Sequence, residues 1–446
     1  MKSQAQGGSV FTVEPGGVLN GVITVPGDKS MSHRSVMFGS IAHGTTEVSG
    51  FLEGEDALHT LQAFEKMGVQ IERPGTGQLI IHGKGPDAIK TPASELYLGN
   101  AGTGMRLMVG LLVGLRVPAT LSGDESLSRR PMNRVVKPLE LMGARVETDE
   151  GGTPPLRLLA AETLNGIEYT TPMASAQVKS CLLLAGLHAS GTTTVHEPDV
   201  TRDHTERMLR GFGVDVHTSG LTASLSGGQS LQATSLHVPG DISSSAFFLV
   251  GASMVPGSDL LINNVGLNPT RRGVIDILRL MGASIEETNQ RESGGEPVAD
   301  LHVRGTALKG IEVPEHLVSL AIDEFPALFV AAATASGTTV VTGAEELRVK
   351  ETDRIQVMSD GLRVLGVDIQ DTPDGAVIKG GKMAGGVVDS AGDHRTAMAF
   401  AMAGLVSSGT VTVTDCDNVA TSFPDFIATA QQAGLRVSES GDSGKT

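Results

Sequence analysis

The chain has 446 residues, 40% of them hydrophobic, with 34 Lys and Arg against 50 Asp and Glu and a formal net charge of −16. That length exceeds one ordinary core and suits two domains, the acidic balance argues against a nucleic-acid surface, where a basic patch would be expected, and no apolar run reaches membrane-spanning length. Met1 to Val13 lacks the core of a signal peptide and the Arg/Ser-rich character of a transit peptide, which predicts a cytoplasmic chain, and Cys181 and Cys416, in different halves, imply neither a disulfide framework nor a zinc site.

In chain order, Gly27-Asp28-Lys29-Ser30-Met31-Ser32-His33-Arg34 puts polar side chains ahead of a buried-type helix, with Asp28 as its cap. A Gly44-Thr45 turn leads to a short strand. Leu58, Leu61, Phe64 and Met67 then recur about every three residues, an amphipathic helix closed by Gly68 before the alternating Val69 and Ile71. The pattern returns with the apolar helix Met105 to Leu115 and Gly143. It returns again with the apolar helix Val178 to Leu187, the strand Thr192 to Val195, a helix opened by Arg202, Asp203 and Thr205, and Gly213 before Val214 and Val216.

Val25-Pro26-Gly27-Asp28 is echoed by Val238-Pro239-Gly240-Asp241, and three further rounds end on Gly282, Gly366 and Gly434. They include the apolar helix Phe325 to Ala335 and the strand Thr338 to Val341, and Gly191-Thr192, Gly337-Thr338 and Gly409-Thr410 repeat the first turn. Six closing glycines about 70 residues apart are one supersecondary unit repeated. The reading is α/β, a duplicated triplicate: residues 22–238 form one three-repeat domain, and 1–21 with 239–446 the other. Asn289 to Pro297 and the tail Ser438 to Thr446 read as loose polar segments.

Local cations gather in the loops that open helices: Lys29 and Arg34, Arg106, Arg129 and Arg130, Lys179, Arg202, Arg271 and Arg272, Lys350 and Arg354, and Arg395. Helix N-termini carry orphan N–H groups and partial positive charge, so a surface where they gather is an anion trap. A single such cation is usually solvated, which is the expectation for Arg129, Lys179 and Arg272. Asp203 reads as a cap, and Asp323 and Glu324 as caps or functional groups. His33, His204 and His394 have no ligand spacing and read as hydrogen-bonding residues.

Six blocks together resemble the 5-enolpyruvylshikimate-3-phosphate synthase family along the whole chain: Val25-Pro26-Gly27-Asp28-Lys29-Ser30, Leu98-Gly99-Asn100-Ala101-Gly102-Thr103, Arg130-Pro131-Met132, Ser175-Ala176-Gln177, Arg348-Val349-Lys350-Glu351-Thr352-Asp353-Arg354 and Asp393-His394-Arg395. Arg202-Asp203-His204-Thr205-Glu206 and Asn268-Pro269-Thr270-Arg271 look like the bacterial class II subgroup, many of whose members tolerate glyphosate. Gly102 is the glycine of sensitive relatives, whereas Leu107 stands where those relatives usually have proline. The resemblance implies two inside-out α/β domains, each of three βαβαββ repeats, with the active site in the cleft between them. No ligand cluster or dinucleotide fingerprint appears in context, so no metal or organic cofactor is implied, and a monomer is expected.

The implied reaction transfers the enolpyruvyl group of phosphoenolpyruvate to the 5-hydroxyl of shikimate 3-phosphate. The enol methylene is protonated, the hydroxyl adds to the adjacent carbon, and the tetrahedral ketal loses a methyl proton and phosphate. By the same resemblance Lys29, Ser30, Arg34, Ser175, Ala176, Gln177, Arg202, Asp323 and Lys350 hold shikimate 3-phosphate. Arg34's planar fork suits the carboxylate, and Arg202 the phosphate. Phosphoenolpyruvate lies against Lys29, Gly102, Arg130, Gln177, Arg354 and Arg395. Asp323 is the implied base. The acid is Glu351 or Lys29: the cations beside Glu351 favour its charged form, and bound substrate anions would offset them. Thr421 occupies the place of a C-terminal lysine found outside the subgroup.

Two alternatives stand beside this. UDP-N-acetylglucosamine enolpyruvyl transferases share fold and donor, but usually have Asn where Ser30 stands and a reactive loop Cys. A non-catalytic α/β repeat protein would explain the repeats, but not the clustering of Lys, Arg and carboxylates at helix openings.

Overall fold

The computed structural model describes residues 8–441. Its contacts divide the chain into two units: Gly27–Pro239 with Glu292–Glu296, here the N-half unit, and the chain up to Pro26 with Gly240–Arg291 and everything from Pro297, the C-half unit. The passage between them falls after Pro26 and not near residue 22, because the strand Asn20–Thr24 pairs in parallel with Asp259–Gly266 of the C-half unit.

The N-half unit contains α1 (Lys29–Ile41), α2 (Glu55–Lys66), α3 (Gly102–Leu115), α4 (Asn133–Leu141), α5 (Ala176–Gly186) and α6 (His204–Gly211). The C-half unit contains α7 (Ile242–Met254), α8 (Gly273–Leu280), the short α9 (Glu315–Val318), α10 (Phe325–Thr334), α11 (Arg354–Val364), α12 (His394–Ala403) and α13 (Phe426–Ala433).

Among the described residues six small sheets accompany them, three per unit, five of four strands and one of three. The second repeat is the plainest. Leu96–Tyr97 runs parallel to Ala119–Ser122, which pairs antiparallel with Thr153–Leu159, and that strand with Arg145–Asp149. With α3 and α4 between strands, the order is βαβαββ. The first repeat borrows its opening strand from the far end of its unit: Ser235–His237 lies parallel to His43–Ser49. Likewise Val10–Val13 lies in the last sheet, antiparallel to both Val411–Thr414 and Val437–Ser440. Each half thus closes as a ring of three repeats.

The near-continuous apolar stretches are helices buried all round: every residue of α7 and α12, and Gly104 to Gly114 of α3. Close packing needs small residues there; a Cβ on Gly110 would come within 2.2 Å of the Cys181 carbonyl oxygen on α5. The second helix of each repeat buries one stripe. In α2 Leu61 and Phe64 are wholly buried, each contributing about 1.5–3 kcal/mol. All six closing glycines adopt positive φ, from 80° at Gly366 to 110° at Gly434, the left-handed cap that L side chains resist.

Two expectations change. α3 and α5 begin at Gly102 and Ala176, two to three residues before the apolar runs, because their first turns are built from polar residues that hydrophobic spacing cannot detect. Asn289 to Pro297 is not loose: it belongs to the hairpin of Ser284–Ser293 and Glu296–Arg304. Its tip includes Glu296, 1% exposed, whose buried side chain polarity alone does not reveal. In the tail, Val437–Ser440 is a strand, while residues 442–446 lie outside the described residues.

Candidate active site

In the N-half unit the openings of α1, α3 and α5 are tied together by side chains. Asp28 caps α1, accepting Met31 N–H at 2.9 Å, and Lys29 places Nζ 2.9 Å from Oδ2 of the buried Asp56. Arg34, one turn further, is 3% exposed. Its Nε donates to Thr205 Oγ1 at 2.7 Å, and its Nη atoms to Ser180 Oγ at 3.1 Å and to the Ser30 carbonyl at 2.9 Å. No carboxylate pairs with it among the described residues. Burial lowers the guanidinium pKa to about 10, with Glu206 and Asp28 opposing from a distance and the Arg202 charge adding to the fall. Arg202 lies in the loop before α6.

Ser175 caps α5, accepting Val178 N–H at 3.4 Å, and Ala176 and Gln177 follow in the first turn. Gln177 Oε1 accepts Arg106 Nη1 at 2.7 Å, and its Nε2 donates to Thr103 Oγ1 at 2.9 Å. Gly102 opens α3 beside two guanidinium groups; a Cβ there would stand 2.8 Å from Arg130 Nη1 and 3.4 Å from Arg106 Nη1. Arg130 donates to Asn100 Oδ1 and to Ser126 Oγ. His33, wholly buried on α1 with Nδ1 2.8 Å from Thr60 Oγ1, has its pKa pushed down to about 3, by burial first and then by Lys29 and Arg34.

In the C-half unit the cations meet carboxylates. Arg354 is 1% exposed and fills its donors with Asp393 Oδ2 at 2.7 Å, Asp323 Oδ1 at 3.1 Å and Glu351 Oε2 at 2.5 Å. Burial would lower its pKa, but Asp393, Glu351 and Asp323 more than reverse that and hold it above the ordinary arginine value. Lys350 Nζ lies 3.6 Å from Asp323 Oδ1 and 3.7 Å from Glu346 Oε1. Arg395 donates to the Asp323 carbonyl at 3.2 Å, and its own N–H is capped by Asp393 at 2.8 Å. A neighbouring group joins Arg271 to Asp241 at 3.0 Å and to Ser243 at 2.5 Å, with Ser243 also on Glu324. Thr421 is buried and donates to the Asn418 carbonyl at 2.6 Å.

Lys29, Ser30, Arg34, Gly102, Arg130, Ser175, Ala176, Gln177 and Arg202 therefore lie in one unit, and Asp323, Lys350, Glu351, Arg354 and Arg395 in the other. Lys179 is not the solvated cation expected: at 4% exposed it sits 2.7 Å from Glu197 and 2.9 Å from Glu206. Burial pulls its pKa down, and the two carboxylates outweigh burial and raise it. Arg129 is exposed, and Arg272 is half-buried on Glu287. Asp203 takes the N-cap position of α6 but bonds Arg207 Nε at 2.8 Å instead of capping. Glu324 at the N-cap of α10 makes no side-chain cap bond either. Asp56, Thr205 and Ser180 escaped the sequence reading as partners of Lys29 and Arg34, because they come from other helices and sequence spacing does not show which helices meet. Among the described residues no group of three His, Cys, Asp or Glu is placed to hold a metal, and no helix is long and apolar enough to cross a membrane.

The sequence profile of the family described as EPSP synthase (3-phosphoshikimate 1-carboxyvinyltransferase) matches residues 13–429. A 3-phosphoshikimate 1-carboxyvinyltransferase of Methylococcus capsulatus is 60% identical over 428 residues, 96% of this chain and 98% of the relative. One of Nitrosococcus oceani is 58% identical, covering 96% of each. A solved EPSP synthase of Acinetobacter baumannii superimposes with a TM-score of 0.88 at 56% identity, over 97% of this chain and 100% of that one.

Proposed function

The chain belongs to the EPSP synthase (3-phosphoshikimate 1-carboxyvinyltransferase) family, and from that premise we propose how its residues divide the work of moving an enolpyruvyl group from phosphoenolpyruvate to the 5-hydroxyl of shikimate 3-phosphate. The UDP-N-acetylglucosamine alternative is not favoured by these relatives. One observation carries the division: Asp323 and Glu351 are both held on the single buried guanidinium of Arg354, whereas the buried guanidinium of Arg34 in the N-half cluster meets two hydroxyls and a carbonyl.

Shikimate 3-phosphate is taken by Lys29, Ser30, Arg34, Ser175, Ala176, Gln177 and Arg202, with Asp323 and Lys350 reaching the reacting hydroxyl. Arg34, braced at three points, presents a fixed fork to the carboxylate, and Arg202 meets the phosphate. Phosphoenolpyruvate lies along Lys29, Gly102, Arg130, Gln177, Arg354 and Arg395, where the bare Gly102 lets a small anion approach both guanidinium groups.

In the addition step Asp323 accepts the hydroxyl proton while the oxygen bonds the enol carbon, and Glu351 or Lys29 delivers a proton to the methylene. Elimination returns a methyl proton to the same group as phosphate departs with its bonding pair. One substrate pair has to meet residues of both units, so the reading requires the units to close on their ligands. A radius of gyration unchanged by saturating shikimate 3-phosphate in small-angle scattering would count against it. The enzyme acts as a cytoplasmic monomer in this reading, checked by light scattering on the eluted chain.

Phosphate release from phosphoenolpyruvate is the deciding assay, with shikimate 3-phosphate in one arm and UDP-N-acetylglucosamine in the other. Release only in the first arm is expected; release in neither sinks the reading. Repeating it with glyphosate tests what Gly102 and Leu107 set.

A further inference from the structure

The function above uses the Arg202-Asp203-His204-Thr205-Glu206 block only at Arg202, yet its other residues are gripped from several sides. Thr205 Oγ1 accepts Arg34 Nε at 2.7 Å and donates to Ser180 Oγ at 2.8 Å. Glu206 takes Lys179 at 2.9 Å. His204, the first residue of α6, has Nδ1 2.8 Å from Glu296 Oε1, and the two side chains are 2% and 1% exposed.

Glu296 comes from the segment Glu292–Glu296, which belongs to the N-half unit. Its second carboxylate oxygen lies 3.9 Å from Arg207 Nε, and Arg207 Nη1 donates to the Gly295 carbonyl at 3.3 Å. Among the described residues His204 Nε2 is buried without a hydrogen-bond partner, so the ring is anchored through Nδ1. Helix starts normally draw on a side-chain cap. α6 has none, because Asp203 is turned to Arg207. Fixing its first turn falls to bonds from outside the helix.

We propose that Glu296 is a positioning residue for the acceptor site: by accepting the His204 Nδ1–H it fixes the start of α6, and with it the placement of Arg202 and of Thr205, which aims Arg34. The inference rests on the assignment of Arg34 and Arg202 to shikimate 3-phosphate. Without Glu296 the buried His204 N–H has no acceptor, and the turn shifts to find one. The phosphoenolpyruvate residues Gly102 and Arg130 hang from α3 and its neighbouring loop and are bonded to other partners. The effect therefore falls on one substrate.

The test is phosphate-release kinetics on the full chain, varying one substrate at a time. Glu296→Ala is expected to raise KM for shikimate 3-phosphate about tenfold, with kcat and the phosphoenolpyruvate KM within about twofold. Glu296→Gln, which keeps an acceptor oxygen, is expected to bring KM back to within about threefold of wild type. An unchanged shikimate 3-phosphate KM in the alanine variant, or a parallel rise for both substrates, overturns the proposal. If the alanine chain does not fold, as judged by circular dichroism, His204→Asn replaces it, with the same selective rise expected and a wild-type KM overturning the proposal. Arg202→Met separates the two failures. If it leaves the shikimate 3-phosphate KM unchanged, the assignment of the arginines is wrong; if it raises KM while Glu296→Ala does not, only the role of Glu296 is lost.

Discussion

Arg34 and Arg354 are both buried arginines at helix openings, one in each half of a duplicated chain, and their surroundings are opposites. Arg34 meets two hydroxyls and a carbonyl, and burial lowers its pKa to about 10. Arg354 meets three carboxylates, which raise its pKa despite burial. A buried cation without a counter-ion is a standing demand for an anion; one already paired holds carboxylates in place and must share its donors with any ligand that arrives. Under the proposed assignment, two similar helix-opening faces divide the work: one receives the carboxylate of shikimate 3-phosphate, and the other mounts the proton-transferring groups beside phosphoenolpyruvate.

The sharpest way to break this contrast is to neutralise each side. Glu351→Gln or Asp323→Asn is expected to lower kcat by about 10²–10⁴-fold with little change in either KM, whereas Arg34→Lys raises the shikimate 3-phosphate KM and spares kcat. Steady-state kinetics in which Glu351→Gln changes KM alone would reverse the division. Stability gives a second arm. Arg354→Met strands the fully buried Asp393 and is expected to cost about 3–5 kcal/mol, while Arg34→Met stays within about 1 kcal/mol of wild type. Urea midpoints decide; equal losses would mean that the two arginines are alike.

His33 reads the uncompensated side through pH. Its folded pKa of about 3 lies below the unfolded value of about 6.5, so below pH 6.5 the unfolded chain binds the extra proton and stability falls as pH drops. The loss is about 1.4 kcal/mol per pH unit, or about 2 kcal/mol between pH 6.5 and 5. His33→Asn should flatten that part of the pH–stability curve, and an unchanged slope would place the effect elsewhere. Smallest is the contrast between two aspartates. Asp28→Ala removes a cap and should cost about 1 kcal/mol, whereas Asp203→Ala loses a partly exposed pair with Arg207, about 0.5 kcal/mol; thermal melts resolve the order.

The repeat was legible because its punctuation is backbone chemistry: six glycines at left-handed positions mark six helix ends whatever surrounds them. Helix-opening cations were legible for a similar reason, since polar residues ahead of an apolar run stand out. What stayed hidden was contact. Sequence spacing assigns Lys179 to a solvated turn because it cannot place Glu197 and Glu206 on either side of it. Asp56 under Lys29 and Glu296 against His204 are paired across 27 and 92 positions. The hairpin tip read as loose because polar residues that find buried partners look like polar residues facing water.

Ring closure within each half also sets a timetable. On the ribosome, Val10–Val13 is made long before either of its partners, Val411–Thr414 and Val437–Ser440. At about 5–20 residues per second the strand waits about 20–80 s, long enough for the whole of Gly27–Pro239, whose ends meet through the bond from Asp28 N–H to the Pro239 carbonyl, to emerge and complete its own ring. The later half is the one that must keep an unpaired apolar strand out of trouble until its partners are made.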